Sequence, residues 1–226
     1  MRRWFFEEGS AATTASITQT DAASVDTLTA DYSGSFDGKA IGSEAGRSLV
    51  IVSINSSTSD TGITDPTSVT IGGVSASKIV TQNVTNDVMS TIWAAAGVSG
   101  TTADVDIVFP GNRGDCGIVL YAIYNSDTTA FDTGGSQANP MSDTINVPAG
   151  GVAVGGCCGR HGSATTTYTW VGITEDVDAE ISPGDFVSQS AASAAFATEQ
   201  TGLTISSTPA SANAKQAMAF ASFGPA

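Results

Sequence analysis

A chain of 226 residues with a net charge of −14, from 22 acidic against 8 basic residues, repels nucleic-acid phosphate, which excludes a DNA- or RNA-coating role for its body. Hydrophobic residues make up 41% and charged residues only 13%, so the chain is globular and its surface is built from Ser, Thr, Asn, Gln and 25 glycines, a composition suited to short strands and many turns. No stretch reaches the roughly 18 apolar residues of a bilayer span, so no membrane insertion is expected.

Residues 1–16 read as an N-terminal docking arm and linker. Arg2, Arg3, Trp4, Phe5 and Phe6 precede Glu7 and Glu8, and a small-residue stretch runs from Gly9 to Ser16. Trp, Phe and Arg are favoured at interface hot spots, so these five residues are the partner-binding candidates. The competing assignment is an edge strand closing on the chain's own core. Trp4–Phe6 is too short for the apolar region of a secretory signal, and assembly in a cytoplasm is expected.

Residues 17–226 are expected to form a single antiparallel β-sandwich, jelly-roll-like. Leu49–Ile54 is apolar at almost every position and reads as a central strand covered on both faces. Val69–Ile71, Gly72-Gly73 and Val74 read as a hairpin with a two-residue turn. Val88–Ala96 is a strand around Trp93. Val105, Ile107 and Phe109 alternate with Asp104, Asp106 and Val108 in a half-buried strand that Pro110 and Gly111 are expected to stop. Ile118–Tyr124 is the second central strand. Thr144–Val147 ends at Pro148; Gly151–Cys158, Thr166–Val171, Phe186–Gln189, Ala194–Thr198, Leu203–Ser206 and Gln216–Phe223 complete the set. Helical periodicity is poor, with short turns of helix expected only near Asp21–Ser24 or Ser190–Ala195. No fixed-period repeat is apparent, which counts against a propeller or solenoid.

Candidate chemistry is sparse. His161 is the only histidine, so a Ser-His-Asp device would have to use it; no Gly-x-Ser-x-Gly elbow is present, and a surface-loop histidine is expected. Cys116, Cys157 and Cys158 are an odd count with an adjacent pair, which is no disulfide framework and suits a reducing place of synthesis. With His161 they would make an irregular zinc set, because adjacent cysteines rarely reach one metal; buried core cysteines are expected. Glu175, Asp176, Asp178, Glu180 and Asp185 read as a solvated acidic loop, where structural calcium is the one cofactor such oxygens would take. No phosphate loop or dinucleotide fingerprint occurs, so no enzymatic activity and no catalytic residue is expected.

The segments Arg47–Ile54, Ser68–Ala76, Trp93–Ala95, Ile107–Phe109, Gly117–Ala122, Pro148–Val152, Tyr168–Asp176 and Ala219–Phe223, in this order, resemble β-sandwich structural proteins of tailed bacteriophages, many of them marine. The resemblance covers residues 25–224 and implies a virion structural role: capsid decoration, head fibre or tail appendage. It implies other virion proteins, capsid or tail subunits, as partners, a homo-oligomer, and a place on the virion surface. The compact length favours head decoration over a long tail fibre. The competing function is a tail-fibre or adhesin-type carbohydrate-binding module for a host surface glycan. It would need exposed aromatic platforms, whereas Trp93 and Trp170 sit in apolar alternating contexts that predict burial.

Overall fold

A computed structural model describes residues 13–58, 64–84, 87–162, 164, 166–211 and 215–226. These residues are all-β, with no helix among them. The strands of the first half are β1 (Ser16–Val25), β2 (Thr29–Asp31), β3 (Lys39–Ala40), β4 (Arg47–Ser57), β5 (Ser68–Ile71), β6 (Val74–Ser75), β7 (Ser77–Asn83), β8 (Val88–Ala95), β9 (Thr102–Ala103), β10 (Val105–Arg113) and β11 (Asp115–Tyr124). Those of the second half are β12 (Asp132–Ser136), β13 (Met141–Val147), β14 (Val152–Arg160), β15 (Tyr168–Val171), β16 (Thr174–Ser182), β17 (Val187–Ala195), β18 (Gln200–Pro209) and β19 (Lys215–Phe223).

The antiparallel sheets stack in four main layers. An inner sheet β1-β11-β4-β8-β7 carries the outer sheet β2-β10-β5-β6 on one face, and a second inner sheet β12-β19-β14-β17-β16 carries the outer sheet β13-β18-β15. The two inner sheets pack against each other. Where a single sandwich is expected over residues 17–226, two thus lie back to back. The physical reason is already in Leu49–Ile54. Val50, Val52 and Ile54 fill the core under the first outer sheet, while Leu49 and Ile51 point the other way into the core shared with Val152, Val154, Ala219 and Ala221. A strand greasy on both faces requires a layer on both faces.

Leaving aside the short β3, β6 and β9, each half runs through eight strands. In both, the first, eighth, third, sixth and fifth make the inner sheet, and the second, seventh and fourth make the outer one. This is jelly-roll ordering with the fifth strand placed on the larger sheet. The edge strands of the two inner layers lie beside each other, β1 by β16 and β7 by β12.

Several local expectations change. Asp21–Ser24 belongs to β1 and Ser190–Ala195 to β17; neither is helical, because both segments are held in ladders by neighbouring strands. β10 continues through Pro110 to Arg113. Its ladder with β5 ends at Val108, and its pairing with β2 is irregular between Val108 and Arg113, so the missing proline N–H removes no ladder bond. Phe186 lies in the turn before β17 with φ 56°. The Gly72-Gly73 turn is as expected: φ is 58° and 75°, values that L side chains resist, and Ile71 pairs with Val74.

Candidate functional site

Arg2, Arg3, Trp4, Phe5 and Phe6 lie outside the described residues. The chain that follows them is anchored on the second sandwich: Ala15 N donates to Gly150 O at 2.8 Å. A shallow depression of about 270 Å³ opens there, lined by Thr14, Ala15, Gly150, Ala195, Phe196 and Ala197. It holds no charged side chain, so it can take an apolar group but offers no acid, base or nucleophile.

His161 is not a surface-loop residue. It is 4% exposed, with Nδ1 3.2 Å from Ser211 Oγ and Nε2 3.4 Å from Tyr168 OH. Gly159 makes the room: a Cβ there would lie 2.4 Å from Tyr168 OH. Burial pushes the His161 pKa down, favouring neutral imidazole. The ring joins a hydroxyl on each side, an arrangement that ties the loop after β14 to β15 and to the segment after β18.

The cysteines occupy separate places. Cys116 lies in the first core and Cys157 in the second, while Cys158 joins Val88, Ile181, Val187 and Ala217. Adjacent residues of a strand point to opposite faces, so Cys157 and Cys158 do not converge. Burial raises the Cys157 thiol to about 12 and the other two well above their ordinary value, so all three stay protonated.

The acidic run Glu175–Glu180 is part of the edge strand β16 rather than a loop. Its ladder with β17 has an irregularity between Glu175 and Val177. Asp176 Oδ2 accepts from Ser193 Oγ at 2.7 Å and from Tyr121 OH at 3.1 Å, joining the two inner sheets. Asp178 Oδ2 accepts from Tyr168 N at 2.9 Å. Burial raises the pKa of both carboxyls. Among the described residues no group of three or more His, Cys, Asp or Glu is placed to hold a metal ion.

Trp93 and Trp170 are each 8% exposed, as their alternation predicts. Trp170 packs over Gly155, and its Nε1 donates to Ser190 Oγ at 2.8 Å. Neither indole is available as a sugar platform.

A polar seam runs between the inner sheets. Asn55 Nδ2 donates to Gln189 Oε1 at 3.2 Å and to Ser53 Oγ at 3.3 Å; Ser90 Oγ donates to Gly156 O at 2.9 Å. Farther along, fully buried Asp115 accepts from Ser57 N at 2.9 Å and Ser57 Oγ at 2.6 Å. Arg160 of the second half reaches Ser57 Oγ at 3.2 Å, Thr58 O at 3.3 Å and the Asp87 carboxylate at 3.4 Å, all in the first half. The sequence signal for the seam is Asn55-Ser56-Ser57 closing a strand whose middle, Leu49–Val52, is pure hydrocarbon.

No protein-family model, curated protein or solved structure matches the chain.

Proposed function

We propose that this chain is a non-enzymatic structural protein on the surface of a tailed-phage particle, a capsid decoration or head-fibre component held to its partner by Arg2–Phe6. The observation that carries the reading is where the reactive groups sit. The one histidine, all three thiols and both strand tryptophans are inside the sandwiches, making structure rather than lining a cleft. What remains outside is an acidic, hydroxyl-rich shell with a shallow apolar depression at the root of the arm. A net charge of −14 keeps such shells apart and soluble. Jelly rolls recur in capsid proteins, although a fold alone assigns no function.

Immunogold labelling of particles with antibody against the folded chain tests the proposal. Label on heads is expected; label confined to tails moves the chain to a tail appendage, and unlabelled particles refute a virion role. Deleting residues 1–8 should abolish particle binding and leave the circular dichroism spectrum unchanged. The glycan-binding alternative predicts saturable signal on a glycan array, which the buried indoles argue against.

A further inference from the structure

The two halves share more than strand order. In the first inner sheet Ser57, the last residue of β4, pairs with Asp115 and Val88, the first residues of β11 and β8. In the second, Arg160, the last residue of β14, pairs with Lys215 and Val187, the first residues of β19 and β17. The central strands therefore align end to end, Ser57 with Arg160, and counting back four places aligns Ser53 with Gly156.

Those equivalent positions touch. A Cβ on Gly156 would lie 1.9 Å from Ser53 Oγ, and Arg160 Nη2 donates to Ser57 Oγ at 3.2 Å. Several strand pairs facing each other across the interface follow the same rule, while β8 with β19 and β1 with β17 have no equally close mate. β4 faces its counterpart β14; β1 faces β16 as β7 faces β12; β11 faces β16 as β7 faces β19. A two-fold axis lying between β4 and β14, parallel to both, relates the members of each of these pairs, and the packing departs from it where β8 meets β19 and β1 meets β17. Self-contact of equivalent residues with reciprocal flanking contacts is the signature of an isologous dimer interface.

We infer that the chain is a covalently fused dimer: one eight-stranded jelly-roll unit, duplicated in tandem, with the inner-sheet contact serving as the surface by which one unit binds a second copy of itself. Divergence across the axis supports this. On this alignment Ile92, Val119 and Tyr121 of the first half stand where the second has Ala191, Ala219 and Ala221, a large-for-small exchange that keeps the sheets close, while Leu49, Ile51 and Ile123 stand where it has Val152, Val154 and Phe223. The self-association surface is thereby used up within one chain. The two outer sheets face away at symmetry-related ends, and further assembly must use them, the loops or the arm.

The test inserts a protease site between the exposed Thr128 and Thr129, in the connection between β11 and β12, and cuts the folded full chain. The expected result is a 1:1 complex of the two fragments by native mass spectrometry and an unchanged elution volume. The cut protein should melt in one transition whose midpoint rises with protein concentration, while that of the uncut protein does not. Fragments that elute separately, or that melt in two concentration-independent steps, overturn the inference. In the cut protein, Gly156→Val should increase dissociation at least tenfold; no increase would equally overturn it, because the contact at the axis would then contribute nothing.

Discussion

Gly156→Ala tests the closeness of the inner sheets at one atom. Gly156 has no positive φ, so alanine is compatible with its backbone, and by stiffening the unfolded chain it should stabilise by about 0.4–1 kcal/mol. Against this stands the new methyl group, 1.9 Å from Ser53 Oγ, 3.1 Å from Ser53 Cβ and 3.5 Å from Ser90 Oγ. Ser53 must turn away, losing the bond from Asn55 Nδ2, worth about 1 kcal/mol, and residual overpacking costs about 1–3 kcal/mol. The net expectation is a loss of about 2 kcal/mol, or roughly 4–8 °C in melting temperature for a chain of this size. Ser53→Ala alone should cost about 1 kcal/mol, since Asn55 keeps Gln189. The double variant should be less destabilised than Gly156→Ala alone, because the hydroxyl that the methyl strikes is gone. Calorimetric melts of the four proteins close the cycle. Strict additivity within about 0.5 kcal/mol would refute the contact.

Arg160→Ala removes charge-assisted bonds to Ser57 and Thr58 and the ion pair with Asp87, so urea denaturation should show a loss of about 2 kcal/mol. His161 has a folded pKa below its unfolded value, so its contribution is present above about pH 6.5 and is lost as pH falls below that value. The urea midpoint of the native protein relative to His161→Gln should therefore fall between pH 7 and 5. The raised carboxyls Asp115, Asp176 and Asp178 act in the opposite sense, adding stability as pH falls through their folded pKa values, so the comparison with His161→Gln is what isolates the histidine. A thiol reagent should leave Cys116, Cys157 and Cys158 untouched in native protein and titrate all three only after unfolding; fast native labelling would contradict their placement.

The sequence made the greasy elements legible and hid the polar ones. Leu49–Ile54 and Ile118–Tyr124 declare central strands, and Gly72-Gly73 declares its turn, because one physical demand dominates each. β1, β7 and β16 escape notice because they are edge strands. Their Ser, Thr, Gln and Asp side chains give no period-two contrast, and β16 passes for an acidic loop. His161 looks exposed in a glycine-flanked run, yet one of those glycines, Gly159, leaves the room in which His161 and Tyr168 OH meet. The duplication left no readable repeat because each half fills its core differently. Val52 pairs with Trp93 in the first half, while the equivalent pair in the second is Gly155 with Ala192. The missing bulk comes from Trp170 on the outer sheet, packed over Gly155. Volume is conserved by the layer, not by the position, so residue-by-residue comparison loses what strand order keeps.

The division of the inner-sheet contact into an apolar end and a polar end follows from the register problem of facing sheets. Leu49, Ile51, Val152, Val154, Ala219 and Ala221 attract without direction, and a slide by one strand repeat would find them comparable partners. Asn55 with Gln189, and Arg160 with Ser57, Thr58 and Asp87, are directional, and the same slide would strand buried donors and acceptors. The hydrocarbon end thus supplies attraction and the polar end fixes position. A fused dimer needs both, since its connection, tied by Asp127 N to Gly224 O, sets only which halves meet and not where along the strands they stop.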